Sequence, residues 1–465
     1  RMMDTLSHRG SDAFGISLSP HKSTIKRSLS GLRKEESKSH VVIGHNFSQM
    51  LLSDKAQPIH NDDFTLVFDG QLYPSPREKA ADFVAQEIAN IDNKAAHLIR
   101  DFEGAYVFAI MKNSGIVIGR DAVGTYPLYF GENQDIYAFS SERKALWRLG
   151  IKEAKSFPPG KFAMVSRRGL NINTAKAIAQ PPLMELDMKT AAEKLQDNLL
   201  WSVRERLTDV KEVAVAFSGG IDSSIIAFLT KTCHVNAHLI HVSLDPHREQ
   251  PFAKNAAEAL DLPFYQKTYT IHDVEEILPK VLWLIEEPNP VNASIAIPMF
   301  WAAEQSAKLG LHVLMTGQGG DELFGGYKRY LDDYAKNGLA GLQKRLFHDV
   351  TLSYKTNYQR DSKICSFQKI ELRLPFADWE TIQLALSISP NLKVFSSQDM
   401  LRKRILRHMA REIGIPRFIT EKSKKAIQYA SGVSQAMKKL AKREGLTLRK
   451  YVEKIFLQVN EGDTK

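Results

Sequence analysis

The chain has 465 residues, enough for two or three domains with real cores, and its 43% hydrophobic and 25% charged shares are those of a globular protein. No apolar run approaches the roughly 20 residues of a membrane span, and no signal peptide is visible, although the chain begins at Arg1 rather than Met. Cys233 and Cys365 form neither a CxxC pair nor a zinc spacing, which suits a reducing cytoplasm.

Residues 1–178 read as many short strands. Segments 41–45, 64–68, 106–111, 116–119 and 138–140 are rich in β-branched or aromatic residues. Turn signals separate them: Asp69-Gly70, Asn113-Ser114-Gly115 and Pro158-Pro159-Gly160. One helix is expected over 79–99. The pattern is an antiparallel, mostly β layer architecture. Pro181-Pro182 and a loss of periodicity put a linker at 179–190, ahead of a second domain over 191–465. There the continuous apolar run 213–217 predicts a buried parallel strand, and a helix follows from Asp222. Segments 238–244 and 252–260 repeat strand and helix; 299–309 and 312–316 reverse the order. Such alternation argues an α/β fold with a parallel sheet. Beyond about 330 the chain reads as helical throughout. Residues 402–454 carry 16 Lys/Arg against 4 Asp/Glu, more than the whole excess behind the net charge of +10. A basic face can serve nucleic acid, but no aromatic-interleaved basic motif accompanies it. A solvated surface or a polyphosphate lining accounts for it as well.

The chemistry is expected where the parallel strands end. Ser218-Gly219-Gly220-Ile221-Asp222-Ser223-Ser224 leaves one buried strand and opens a helix. Its two glycines let backbone N–H groups approach an anion, its serines add hydroxyl donors, and the helix start adds the positive end of its dipole. This is a phosphate cradle without the Lys of a Walker loop. Asp222 beside phosphate calls for a bridging cation, and Mg²⁺ takes one or two carboxylates plus phosphate oxygens. The bland alternative is a strand–turn–helix in which Asp222 caps the helix. A second loop, Gly317-Gln318-Gly319-Gly320-Asp321-Glu322-Leu323-Phe324-Gly325-Gly326-Tyr327, follows the strand at 312–316. Five glycines in ten residues make a loop that hugs something closely, and Asp321 is the second candidate metal carboxylate.

These two strings resemble the pyrophosphatase loop and the GxGxDExFGGY loop of asparagine synthetases, and the resemblance covers nearly the whole chain. His8-Arg9-Gly10-Ser11-Asp12 is similar to the family's HRGPD, Phe68-Asp69-Gly70-Gln71-Leu72-Tyr73 to its NGEIYN, and Gly119-Arg120-Asp121 with Gly124 and Pro127-Leu128-Tyr129 to its GRDxxGxxPLY. Ser140-Ser141-Glu142 with Lys144-Ala145-Leu146 resembles its SSExKAL, and Phe157-Pro158-Pro159-Gly160 its FPPG. The resemblance implies an N-terminal-nucleophile (Ntn, αββα) glutamine amidotransferase-like domain over 1–178. An adenine-nucleotide α-hydrolase-like (PP-loop) synthetase domain would follow over 191–465. It implies that ATP, with Mg²⁺ on Asp222 and Asp321, adenylates aspartate, and that ammonia or glutamine nitrogen then displaces AMP. Ser218, Gly219, Gly220, Asp222, Ser223 and Ser224 would hold the phosphates, Val242 and Gly317 the adenosine, and Lys403 a further phosphate oxygen. Glu371, in Glu371-Leu372-Arg373-Leu374-Pro375-Phe376, matches a catalytic Glu, and Lys424, in Glu421-Lys422-Ser423-Lys424-Lys425, a catalytic Lys; Lys422 and Lys425 are alternative registers. A cytoplasmic enzyme is implied, with a homodimer among the assemblies it allows.

Departures from the family concentrate in the first domain. Family members begin Met-Cys, the Cys being the nucleophile, some 20–30 residues before HRGPD; here His8 is the eighth residue, so the start is truncated or the Cys is absent. Phe47 stands where the family has the Arg that takes glutamine's carboxylate, and Asp69 and Gln71 replace the Asn and Glu of NGE. Their joint loss suggests a degenerate glutaminase pocket. Ser294 and Ala296 stand where many bacterial members have Arg and Ser. Ligation of another carboxylate, as in β-lactam ring closure, therefore stays open, as do a tRNA-thiolating pyrophosphatase and a non-catalytic paralogue.

Overall fold

The computed structural model describes residues 1–465 except 20–21, 33–38, 50–54, 61–62, 77–79, 90–93, 246–249, 424–426 and 463–465. The chain divides into two compact units, Arg1–Ile178 and Ala179–Lys465. No described helix is long and apolar enough to cross a membrane.

In the first unit a six-stranded antiparallel sheet runs in the order Gly169–Thr174, Lys161–Ser166, Gly115–Arg120, Gly104–Lys112, Thr65–Leu72, Ile59–His60. Alternation along Thr65–Leu72 and Gly104–Lys112 sends Leu66, Phe68, Tyr106, Phe108 and Ile110 to one face, where they pack on Val84, Leu98 and Ile99 of two helices. The opposite face carries Val107, Ala109, Ile118 and Ala163 against Leu128 and Phe157. Both faces are therefore covered. The single helix expected over 79–99 is two, Ala80–Glu87 and Lys94–Asp101. Asn90, Asp92 and Asn93, all turn formers, stand between them in the sequence. Strands Ala13–Ser19 and Lys22–Lys26 escaped the sequence reading, as did Gly169–Thr174, which pairs fully with Lys161–Ser166.

The second unit is built on a five-stranded, wholly parallel sheet ordered Phe264–Tyr269, Asn236–Leu244, Glu212–Ala216, Val313–Met315, Glu371–Arg373. The central strand is a buried run of Val213, Ala214 and Val215, as a parallel strand covered on both faces requires. From it the chain first moves outward through Asn236–Leu244 and Phe264–Tyr269, then crosses back to Val313–Met315 on the other side. The carboxyl end of Glu212–Ala216 is thus a topological switch point, where open α/β sheets bind ligands. The region past 330 is helical apart from Glu371–Arg373. At three residues that strand is too short for its alternation to register as a period.

Candidate active site

Both glycine-rich loops leave the sheet at the switch point. Ser218–Gly220 connects the central strand to helix Ile221–Thr232, and residues 316–319 connect Val313–Met315 to helix Gly320–Phe324. Gly219 has φ 69° and Gly319 φ 97°, left-handed conformations that a side chain would strain. Within the first loop Gly220 N–H donates to Ser218 Oγ (3.3 Å), Ser223 Oγ to the Gly220 carbonyl (3.1 Å), and Ser218 N–H to Ser223 Oγ (3.3 Å). The buried Ser224 hydroxyl makes no hydrogen bond within the described residues, a polar group left over beside the cradle.

The loops are held together by direct packing. A Cβ on Gly317 would lie 2.6 Å from Asp222 Cβ, and one on Gly320 would lie 2.9 Å from Asp222 Oδ1. A Cβ on Gly326 would fall 1.9 Å from Asp321 Oδ1 and 2.4 Å from Lys403 Cε. Only glycine permits this approach. It brings the two carboxylates to one point: Lys403 Nζ lies 2.6 Å from Asp222 Oδ1 and 2.6 Å from Asp321 Oδ1. Lys403 is fully buried. It and Arg402 have φ of 51° and 53°, a rare pair of left-handed non-glycine residues. Several bonds over-determine that backbone. Arg402 N–H donates to Asp399 Oδ1 (3.0 Å), Arg402 Nε to the Gly326 carbonyl (3.0 Å), and Arg407 Nε to the Arg402 carbonyl (2.7 Å). Burial lowers the pKa of Arg402 and Arg407 from their ordinary values.

Behind Asp321 sits a second carboxyl. Glu322 is buried and accepts from Tyr327 Oη (2.5 Å) and Asn357 Nδ2 (2.7 Å). Burial, reinforced by Asp321, holds its carboxyl above the usual range. Asn357 belongs to a π-helical turn, Tyr354–Tyr358, a feature frequent at functional sites.

The structure therefore gathers Ser218, Gly219, Gly220, Asp222, Ser223, Ser224, Gly317, Asp321 and Lys403. Val242 lies in the next strand, two residues past Ile240, whose carbonyl accepts from Phe217 N–H (2.9 Å). Glu371 is not gathered with them by any described contact between it and Asp222, Asp321 or Lys403. It opens the strand Glu371–Arg373, paired with Val313. Its carboxylate is taken by buried Arg373, Nε to Oε1 2.6 Å, which also grips Asp209 (2.6 and 2.8 Å) in the connection entering the amino end of the central strand. That charge-assisted pair keeps the carboxylate charged and fixes its direction. Lys424 lies outside the described residues, as does Lys425. Sequence reasoning missed Arg402 and Arg407 as supports of Lys403, because in a stretch so rich in Lys/Arg no local signal singles them out; Gly326 belongs to the glycine-rich loop already marked as a close approach.

Among the described residues no three His, Cys, Asp or Glu side chains cluster as a self-sufficient metal site. Two oxygen donors converging within 2.6 Å of one cationic nitrogen do fit an ion that takes its remaining ligands from phosphate and water.

In the first unit, buried Glu142 collects Lys144 (2.6 Å), His8 (3.0 Å) and Arg9 (3.3 Å). Although burial opposes its charge, these three neighbours hold it well below the usual range. Arg9 also reaches Asp69 (3.7 Å). A Cβ on Gly10 would lie 2.5 Å from the Asn46 carbonyl oxygen and 2.6 Å from the carbonyl carbon of Phe47. Phe47, Asp69 and Arg9 thus share one neighbourhood.

The asparagine synthase family matches residues 194–341 and 333–458, more than half of the chain, and the glutamine amidotransferase domain family matches residues 1–158. The chain is 29% identical to a Methanocaldococcus jannaschii protein assigned as a glutamine-hydrolysing asparagine synthetase, over 97% of this chain and 94% of that one. It is 26% identical to the glutamine-hydrolysing asparagine synthetase 2 of Oryza sativa subsp. japonica, over 76% and 63% respectively. Solved structures with partial likeness include an allosteric regulatory enzyme of purine biosynthesis, at 14% identity, TM-score 0.35 and coverage of 57% of this chain and 76% of that one. The NMN synthetase of Francisella tularensis gives 13% identity, TM-score 0.30 and coverage of 59% and 92%. These two likenesses are too distant to bear on the site.

Proposed function

The chain belongs to the asparagine synthase family, and on that premise we propose that it joins ammonia to the side-chain carboxylate of aspartate, with cleavage of ATP to AMP and pyrophosphate. The observation that carries the reading is the meeting of Asp222 and Asp321 on Lys403 at the switch point of a parallel sheet. Nothing in that arrangement suits thiol chemistry: Cys365 is buried and Cys233 half-buried, and burial raises both thiols.

The chemistry divides between the loops. A carboxylate does not react with ammonia, so it must first acquire a leaving group. N–H groups and hydroxyls of residues 218–224 hold the polyphosphate, with Val242 and Gly317 beside the adenosine. Asp222 and Asp321 would hold Mg²⁺, whose charge would offset that of the polyphosphate. Lys403 supplies an ammonium to the same oxygens, and Lys424 is assigned the charge on the transferring group. The aspartate carboxylate attacks the α-phosphorus and pyrophosphate leaves. Ammonia then attacks the acyl carbon, AMP departs, and the extra proton on nitrogen passes to a base. Free thiols fit a cytoplasmic setting.

The test is pyrophosphate release measured against a panel of carboxylates and amines. Aspartate with ammonium should give asparagine, AMP and pyrophosphate in equal amounts. Faster release with another carboxylate would reassign the substrate and leave the loop chemistry standing.

A further inference from the structure

The edge of strand Asn236–Leu244 that faces the central strand is used only in part. Its pairing there ends where Ala216 meets Ile240, and the Phe217 N–H closes on the Ile240 carbonyl (2.9 Å). Main-chain groups alternate sides along a strand, so Val242 and Leu244 turn theirs to the side that Ile240 faces. At Leu244 they are taken: its N–H donates to the Ser431 carbonyl (2.9 Å), and its own carbonyl accepts from Gln250 Nε2 (3.2 Å). Val242, between the two, presents one N–H and one carbonyl where the chain has departed into Ser218–Gly220. That pair complements adenine, whose 6-amino group donates and whose ring nitrogen 1 accepts. Only one orientation of the base satisfies it. The amino group must meet the carbonyl, which lies on the Leu244 side of the N–H. The amino group, and ring nitrogen 7 next to it, are therefore turned toward Ser431. Ser431 is buried, and its hydroxyl makes no hydrogen bond among the described residues. Its main chain fixes it, with its N–H on the Ile427 carbonyl (2.8 Å) and its carbonyl on Leu244. A buried hydroxyl without a partner costs stability unless a ligand satisfies it.

We propose that Ser431 is a base-recognition residue, whose hydroxyl donates to ring nitrogen 7 of an adenine held on the main chain of Val242. The inference rests on the reading of Val242 as an adenosine position. The two residues divide the work. Guanine carries an oxygen in place of the amino group and an N–H in place of ring nitrogen 1, so it would set acceptor against acceptor and donor against donor at Val242. Ring nitrogen 7 is an acceptor in both purines. Val242 thus selects the base, and Ser431 adds affinity for it. Because the Ser431 carbonyl already holds Leu244, the hydroxyl is brought to the base without a change of backbone.

The experiment uses the whole chain with Mg²⁺ and measures Kd by calorimetry for two probes, ATP and 7-deaza-ATP, in which a C–H replaces ring nitrogen 7. The natural protein should bind 7-deaza-ATP about 3- to 10-fold more weakly than ATP, the span of one hydrogen bond. Ser431→Ala should weaken ATP by a similar factor and bind the two nucleotides alike, because the bond that separates them is gone. Its Tm without nucleotide should equal or exceed the natural value, since the change deletes a hydroxyl that has no partner in the protein. Equal Kd values for the two probes in the natural protein overturn the proposal, and that comparison needs no variant to fold. An undiminished preference for ATP in Ser431→Ala overturns it as well. Purine riboside triphosphate, which lacks the 6-amino group, is measured alongside: binding as tight as that of ATP would sink the placement of the base on Val242, a failure distinct from that of Ser431.

Discussion

Gly317 backs onto Asp222 so closely that a Cβ at 317 would lie 2.6 Å from Asp222 Cβ and 3.0 Å from its carbonyl carbon. Backbone cannot yield as a flexible side-chain end can, so Gly317→Ala must push the two loops apart. A displacement near 1 Å at a reacting centre costs on the order of 100-fold in rate, and overpacking typically costs about 1–3 kcal/mol. Gly317→Ala should therefore lose pyrophosphate release by about two orders of magnitude while still unfolding cooperatively. Activity within a few-fold of the natural protein would mean that Asp222 does not need its present position.

Asp222→Asn and Asp321→Asn should each reduce Mg²⁺-dependent pyrophosphate release by about 100-fold or more. The amide keeps the shape and one acceptor for Lys403 but loses the charge that attracts a divalent ion. Circular dichroism should be unchanged. A Mg²⁺ titration that matches the natural protein in either variant would remove that carboxylate from the metal site.

Glu371 is tied to Arg373 at 2.6 Å, and Arg373 to Asp209. Glu371→Gln should weaken this buried cluster by about 1–3 kcal/mol, and ATP–pyrophosphate exchange and amide formation should fall together with Tm. Loss of amide formation alone, at unchanged Tm, would make Glu371 the proton acceptor for the attacking amine.

Much of this centre was legible in the sequence because glycine and aspartate at strand ends carry local meaning. Buried runs gave the strands their place, and the glycines marked where two backbones meet. What stayed hidden was non-local. Lys403 reads as one basic residue among many until the fold sets it between two carboxylates 181 and 82 residues earlier in the chain. The strand Glu371–Arg373 is too short to announce itself, and with it the parallel pairing that fixes Arg373. In the first unit Lys22–Lys26 carries polar residues on both faces, whereas Ala13–Ser19 does alternate Phe14, Ile16 and Leu18 with small and polar residues, over too few positions beside the glycine at 15 to stand out.

Lys393 gives a pH dependence with a definite sign. It is buried, its ammonium donates to the Ala385 carbonyl, and burial pushes its pKa down to about 7. A lysine in the unfolded chain titrates near 10.4. Between those values the unfolded state binds the proton and the folded state does not, so stability rises with pH across the window from about 7 to about 10. Below about 7 the folded state must carry the buried charge, and the penalty is complete. Lys393→Met should thus stabilise the protein at neutral pH, with a gain that shrinks as pH approaches 10. Denaturant midpoints of both proteins at several pH values supply the difference. A gain independent of pH would show that Lys393 does not titrate in that window.

The nitrogen source follows from the first unit. Glutamine's α-carboxylate needs a cation, and the resemblance puts the apolar ring of Phe47 where the family's Arg is expected. Arg9 does not take over, because it is committed to Glu142 (3.3 Å) and faces Asp69 (3.7 Å). An unpaired carboxylate and a lost charge-assisted bond cost roughly 2–4 kcal/mol, or about 30- to 1000-fold in binding. Asp69, a hydrogen-bond acceptor at the position where the resemblance expects an oxyanion donor, would cost a comparable factor in rate. Ammonium should therefore support synthesis, and glutamine should do so poorly or not at all, even in a gene product that carries the family's N-terminal Cys. Glutamate release from glutamine by that full-length protein is the measurement. The double change Phe47→Arg with Asp69→Asn should raise it if the pocket is otherwise intact. Vigorous glutamate release from the unchanged sequence would overturn the argument from Phe47 and Asp69, and would return the first unit to ordinary glutamine hydrolysis.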